Sequence, residues 1–158
     1  MKSITISKTI HIQAEATAVY AHLANIANHP KLQPLVVETQ EIDRRINDDG
    51  HTVIDFFSIE LFRFLGIFSY HNKTRVKMTQ LPEDNLIIHE VASFPNIRLV
   101  SRTVFEADER GTAVRETINI NTPNLVANFV QKTADSAHDT LLKNLKMRLE
   151  TSEELSLN

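Results

Sequence analysis

Isoleucines at positions 4, 6, 10 and 12 alternate with polar residues, and Lys8 is the one interruption. A period of two over residues 4–12 predicts a strand with one buried face. The period then changes. Ala16, Val19, Tyr20 and Leu23 fall at i, i+3, i+4 and i+7, which predicts a short amphipathic helix over residues 15–24. Asn28-His29-Pro30 and Pro34 interrupt that pattern and predict a second short helical turn followed by a kink. From residue 35 to residue 121 the spacing is again that of strands. Residues 35–45 and 51–60 flank Asn47-Asp48-Asp49-Gly50, a hairpin signal. Residues 68–79, 86–94, 97–107 and 112–121 follow, separated by turn-rich tetrads and by Pro95-Asn96. Links this short make neighbouring strands antiparallel.

Thr122-Pro123 has the form of an N-cap followed by proline at the first helical position. No glycine or proline occurs from Leu125 to Glu150. Leu125, Phe129, Thr133, Ala137, Leu141, Leu145 and Leu149 recur every four residues, flanked by Val126, Val130, Ala134 and Leu142. The pattern predicts one helix of roughly 39 Å at 1.5 Å per residue, long enough to cross the whole sheet.

Composition then removes several classes of function. A chain of 158 residues suits one domain, residues 1–158. There is no cysteine, which excludes disulfides, thiol catalysis and cysteine-ligated zinc and permits a reducing compartment. The N-terminal residues alternate and hold no secretory apolar run, and apolar runs elsewhere are as short as residues 64–68. Neither a signal peptide nor a bilayer span is predicted, and a cytoplasmic location is expected. A net charge of −3 gives no general attraction to nucleic acid.

The order strand, two short helices, six strands, long helix resembles the helix-grip fold of the START-like superfamily. That superfamily includes lipid-transfer domains, plant pathogenesis-related proteins and polyketide cyclase/dehydrase-like proteins. The likeness is carried by Ile10-His11-Ile12-Gln13-Ala14 running into Val19-Tyr20-Ala21-His22-Leu23, by residues 28–36, and by Gly111-Thr112-Ala113-Val114. It implies an α+β fold in which a curved seven-stranded antiparallel sheet wraps a long C-terminal helix, with two short helices after the first strand. It also implies a cavity between the two. The physics agrees, because a bent sheet and a straight rod separate unless large side chains fill the gap. This chain has no tryptophan, and Thr133, Ala134 and Ala137 on the helix are small. Such a void is either a ligand pocket or a destabilising cavity.

Strand alternation selects the residues that face this gap. Lys73, Arg75 and Lys77 share one face, so Tyr70, Asn72, Thr74, Val76 and Met78 turn inward. By the same rule Leu99, Ser101, Thr103 and Phe105 turn inward, as do Val114, Glu116, Ile118 and Ile120. Residues 51–60 and 86–94 stay ambiguous, because both faces are partly apolar. Phe129, Val130, Thr133 and Ala137 would line the helix side. For Tyr70 and Asn72 the alternatives are ligand contact and a satisfied core hydrogen bond, and for Phe129 and Val130 they are ligand contact and plain core packing.

Glu116 is the most informative position, since a carboxylate on an apolar face needs a partner. Lys8 breaks the first strand in the same way, and the two are expected to meet on the inner face. They would form a structural ion pair or a polar anchor for a ligand head group; a bulge that turns one outward is the other outcome.

The seven histidines do not converge, and no zinc-type spacing occurs, so no metal is expected. No phosphate-loop or dinucleotide glycine pattern is present, so no cofactor is expected. His138 reads as a solvated helix histidine, with an acid–base role at the cavity mouth as the alternative. Residues 59–68 are unusually apolar for a hairpin connection. They predict either buried strand extensions, or a pocket lid or a transient membrane or protein contact. Lys73, Arg75 and Lys77, joined by Arg98 and Arg102, make a basic outer strip, but no aromatic cluster accompanies it and nucleic-acid binding is disfavoured.

The preferred reading is therefore a binder of a small hydrophobic ligand such as a lipid, quinone, polyketide or aromatic metabolite. Two rivals stand beside it. One is a cyclase or dehydratase using Glu116, Tyr70 or His138, and the other is a module for protein or RNA contact.

Overall fold

The computed structural model describes residues 1–64 and 67–156. Seven strands form one antiparallel sheet: β1 (Lys2–Ile12), β2 (Val36–Ile46), β3 (Thr52–Phe64), β4 (Phe68–Leu81), β5 (Leu86–Ser93), β6 (Ile97–Asp108) and β7 (Gly111–Thr122). Their order is β1-β7-β6-β5-β4-β3-β2, so six strands follow one another as hairpins and β1 closes against the last of them. Two helices, α1 (Ala16–Ala24) and α2 (His29–Leu32), lie between β1 and β2, and α3 (Ala127–Ser156) ends the chain. This is the helix-grip arrangement that the element order predicts.

The inward alternation holds along β4, β6 and β7. Thr74, Val76 and Met78 are buried, as are Ser101, Thr103 and Phe105, and as are Thr112, Val114, Glu116, Ile118 and Ile120. At the first hairpin Asn47 Oδ1 accepts from the backbone N–H groups of Asp49 and His51, and Gly50 takes a φ of 84° that favours glycine.

The two halves of α3 pack differently. Leu141, Leu142, Leu145 and Leu149 join Ile12, Val19, Leu23, Ile54, Phe56, Met78 and Phe105 in the larger core cluster. Burial of each such leucine contributes roughly 2 kcal/mol. Three polar contacts fix this half: Lys146 Nζ donates to the Ile12-flanking carbonyl of His11 at 2.7 Å, Gln13 N–H donates to Glu150 Oε1 at 3.0 Å, and Asn144 Nδ2 donates to the Leu32 carbonyl at 2.9 Å. At the other end Ala127 packs with Ile4, Ile6, Ile118 and Ile120 in a smaller cluster. Leu125 is 96% exposed, although it heads the every-four stripe. The reason is that Leu125 precedes α3 and lies in a 3₁₀ turn, Asn124–Val126, so it does not share the face that the every-four spacing predicts.

Thr122 is not the helix cap that its position before Pro123 predicts. It pairs with Lys2 at the end of β7, is fully buried, and its Oγ1 has no partner. Pro123 instead opens a 3₁₀ turn, Asn124–Val126, that leads into α3. The apolar segment 59–68 also departs from both expectations in part. β3 and β4 extend and pair as far as Phe64 and Phe68, yet Ile67 and Phe68 are not buried, at 82% and 67% exposed. Leu65 and Gly66 of that segment lie outside the described residues. On the outer face the basic strip is interleaved with acids. Arg45 and Arg75 flank Asp55, Lys77 pairs with Glu90, and Lys73 lies over the Phe57 ring at 4.1 Å.

Gly111 joins the two ends of this architecture. Its φ is +133°, and an added Cβ would lie 2.2 Å from the Ile12 carbonyl oxygen and 2.9 Å from Gln13 Cα. The β6–β7 turn is thus pressed against the exit of β1, the segment that α3 also grips. Gly111→Ala is expected to lower stability by at least about 3 kcal/mol. Gly50→Ala, whose Cβ would meet nothing within 4 Å, should cost about 1 kcal/mol. Urea denaturation of the two variants measures the difference.

Candidate functional site

A belt of polar side chains crosses the interior between the two apolar clusters. β1 contributes Lys8, β7 contributes Glu116 and β6 contributes Thr103, adjacent in register as Lys8↔Glu116 and Glu116↔Thr103. One step along, Ser101 of β6 lies opposite His89 of β5. From above, α3 adds Asp135 and His138.

Lys8 and Glu116 are cross-strand neighbours on the inner face, as expected, but their ion partners come from the helix. Lys8 Nζ lies 2.9 Å from Asp135 Oδ1. His138 Nδ1 donates to Glu116 Oε1 at 3.0 Å. Glu116 is 4% exposed, and its second oxygen, Oε2, has no hydrogen-bond partner. His138 is therefore an interior residue and not a solvated one; its side chain is only 14% exposed. The signal for this is in the sequence. His138 stands four residues after Ala134 and three and four before Leu141 and Leu142, so those helical neighbours all face the sheet. With Nδ1 donating to a carboxylate, the neutral ring keeps its lone pair on Nε2, on the opposite edge.

A two-lobed cavity adjoins the belt. The outer lobe, about 310 Å³, lies under the N-terminal half of α3. Of the residues predicted from sequence, Tyr70, Asn72, Thr74, Phe129, Val130, Thr133 and Ala137 line it, together with Phe62, Leu99 and Phe94. Tyr70 is 56% exposed, so it stands at the mouth instead of pointing into the core. The inner lobe, about 110 Å³, is lined by Ser101 and Glu116 from the predicted set and by Phe56, Ser58, Glu60, His89 and His138. Gln33, Glu60, Val91, Leu99 and His138 border both lobes and form the throat between them. Thr103 lines neither. It is buried in the belt between Glu116 and Ile87, and its Oγ1 has no partner.

Glu60, His89 and Gln33 are absent from the residues read off the sequence. Glu60 is organised by its neighbours: Asn72 Nδ2 and Thr74 Oγ1 each donate to its Oε2 at 3.2 Å, and Asn72 also reaches Ser93 Oγ at 3.0 Å. Asn72 is thus a satisfied interior amide as well as a cavity wall. Burial pushes the Glu60 carboxyl above the usual range, against the pull of those two donors. On the far side of the inner lobe His29 donates from Nε2 to the Leu23 carbonyl at 2.9 Å, and its ring lies 5.7 Å from that of His89. Burial, and secondarily the neighbouring imidazoles of His29 and His138, push His89 from 6.5 down to about 3. Its Nε2 has no partner. Among the described residues, no cluster of three or more His, Asp or Glu side chains is placed to hold a metal ion, and no helix is long and apolar enough to cross a membrane.

The His89 shift carries a sign. Its folded value lies below its unfolded one, so between about pH 3 and pH 6.5 the unfolded chain holds a proton that the folded chain does not. Stability is lost as pH falls through that window. His89→Leu is expected to lose less stability than wild type on acidification, by on the order of 2 kcal/mol at pH 5. Urea midpoints measured at pH 7 and pH 5 for both proteins test this, and parallel curves would refute it.

Residues 3–150 match the family described as polyketide cyclase / dehydrase and lipid transport. No functionally curated protein matches the sequence. Among solved structures, the fold is similar to the Zhui aromatase/cyclase from a Streptomyces species, at 12% identity and a TM-score of 0.74, with 94% of each chain covered. A Thermus thermophilus protein is similar at 16% identity and a TM-score of 0.70, over 96% of this chain and 99% of its own. The di-domain aromatase/cyclase of the steffimycin biosynthetic pathway is similar at 12% identity and a TM-score of 0.73, over 96% of this chain and 52% of that one. This chain thus spans about half the length of that two-domain protein. At such identities the structural likeness carries the fold alone. The family match runs from β1 into the last turns of α3, and the chain belongs to the polyketide cyclase/dehydrase and lipid transport family.

Proposed function

We propose that this protein binds one small hydrophobic molecule, such as an aromatic metabolite, polyketide, quinone or lipid, in the two-lobed cavity between its sheet and α3. The observation that carries the reading is the outer lobe. It is walled mainly by Leu, Val, Ile, Ala and Phe side chains, and its volume of about 310 Å³ falls within the range of small-molecule sites. Burial of apolar ligand surface there drives affinity, and the few polar groups at the throat orient the ligand. The exposed side chains of Tyr70, Phe94 and Phe129 mark the mouth. Phe62 and Tyr70, paired across β3 and β4, line this lobe, and a membrane or a partner protein meeting those strands would hand a ligand over there.

The family likeness and one local observation favour a second reading, acid–base catalysis on an enolisable ligand. Glu116 and His138 are hydrogen-bonded, border the same cavity, and leave His138 Nε2 as a free base edge. A general base needs hydrogen-bond reach to the proton it removes, and typically supplies 10²–10⁴-fold in rate.

Two measurements separate these readings. A lipophilic panel screened by thermal shift and native mass spectrometry should yield at least one stoichiometric complex, stabilised by about 2.7 kcal/mol at a ligand concentration near 100 Kd. Ala137→Trp, which fills the outer lobe and introduces the chain's one tryptophan, should weaken that ligand at least tenfold. No complex across the panel would remove the binding reading. For catalysis, the exchange of α-protons in an aryl 1,3-diketone with D2O is followed by NMR. The acid–base reading expects acceleration by wild type, reduced about 10²-fold in His138→Gln and Glu116→Gln. Equal rates with and without wild-type protein would dismiss it.

A further inference from the structure

The inner lobe presents two polar atoms that no protein group satisfies. Glu116 Oε2 is one, on a residue only 4% exposed, and His89 Nε2 is the other. Both residues line the same space of about 110 Å³, which suits the polar end of a ligand and not its body. Buried polar atoms are costly to leave unmet.

The charge of the lining is one-sided. Glu60 and Glu116 face the inner lobe, and among the described residues no lysine or arginine lines either lobe. Lys8, the cross-strand neighbour of Glu116, is outside both linings and is engaged by Asp135 at 2.9 Å. Burial drives the two enclosed imidazoles, His29 and His89, toward their neutral forms. A carboxylate or phosphate brought here would offer only acceptors, facing two carboxyl groups with no lysine or arginine among the described lining residues to offset them and with the proton-donating edge of His138 already taken by Glu116. A hydroxyl differs, because it both donates and accepts. As a donor it satisfies Glu116 Oε2, and as an acceptor it would suit His89 in the Nε2–H tautomer, so either orphaned atom has a use for it.

We propose that the inner lobe is a polar subsite for a neutral hydroxyl, phenolic or enolic, on an otherwise apolar ligand, with Glu116 Oε2 as its acceptor, and that this lobe rejects carboxylate and phosphate head groups. The inference rests on the cavity being a ligand site and adds which ligands it takes. It separates hydroxylated aromatic molecules from fatty acids and phospholipids, two groups that the apolar outer lobe alone does not tell apart.

The test holds the apolar body constant. Dissociation constants are measured at pH 7.5 for naphthalene, 2-naphthol, 2-naphthoate and 2-naphthylmethylammonium, using ligand fluorescence in a protein without tryptophan. The expected order has 2-naphthol at least tenfold tighter than naphthalene, and 2-naphthoate at least tenfold weaker than naphthalene. Glu116→Gln, which removes the charge, should shrink the preference for 2-naphthol and recover most of the loss for 2-naphthoate. The wild-type series decides the matter even if that variant does not fold. Equal binding of 2-naphthol and naphthalene, binding of 2-naphthoate as tight as that of 2-naphthol, or tightest binding by the ammonium compound would each overturn the subsite while leaving the cavity reading in place. Failure of all four ligands, naphthalene included, would remove the cavity reading and the subsite together.

Discussion

The hydrogen bond between Glu116 and His138 fixes much of what surrounds it. Glu116 sits at mid-strand on the face of β7 that otherwise carries Val114, Ile118 and Ile120. A carboxylate in that row is tolerable only with a donor at hand, and α3 supplies it at 3.0 Å. The contact sets where the helix crosses the sheet and which of its faces points down. It also marks a boundary. On one side of it the leucines of α3 fill the space against β3, β4 and β6, and on the other the helix carries alanine, threonine and valine above a hollow.

Much of this architecture is legible in the chain itself. The inward faces of β4, β6 and β7 follow from alternation, and the appearance of Lys8 and Glu116 on one interior row follows from their each interrupting an apolar strand. The partners of those two residues were less accessible. Their cross-strand adjacency suggests a direct ion pair, but Asp135 and His138 lie more than 15 residues further along, and only the docking of α3 brings them near. Glu60 and His89 were illegible for another reason. Both lie on strands whose two faces are partly apolar, so alternation does not choose a side. Pairing register does choose, placing Glu60 opposite Asn72 and His89 opposite Ser101. Leu125 departs in the opposite sense, since its spacing continues the helical stripe while the chain around it is a 3₁₀ turn that precedes α3.

The family description joins two activities, cyclisation or dehydration and lipid transport, and this interior has something of each. Its outer lobe offers shape and apolar surface, which suffice to hold a molecule. Its throat and inner lobe offer a base edge and two carboxyl groups, which matter only if the molecule held there carries an acidic proton. Whether the protein stores its ligand or transforms it then depends as much on the ligand's chemistry as on the protein's.

Helix α3 divides its labour along its length. Residues 141–150 are fastened to the rest of the molecule through leucines and through the contacts of Asn144, Lys146 and Glu150. Residues 129–137 form a roof in which Asp135 holds Lys8 and Val130 and Ala134 rest on the smaller cluster, while Phe129, Thr133 and Ala137 mainly wall the cavity. Mutational drift can therefore resize the chamber without loosening the frame. A lineage built on this plan is free to exchange one guest molecule for another while its folding remains the same.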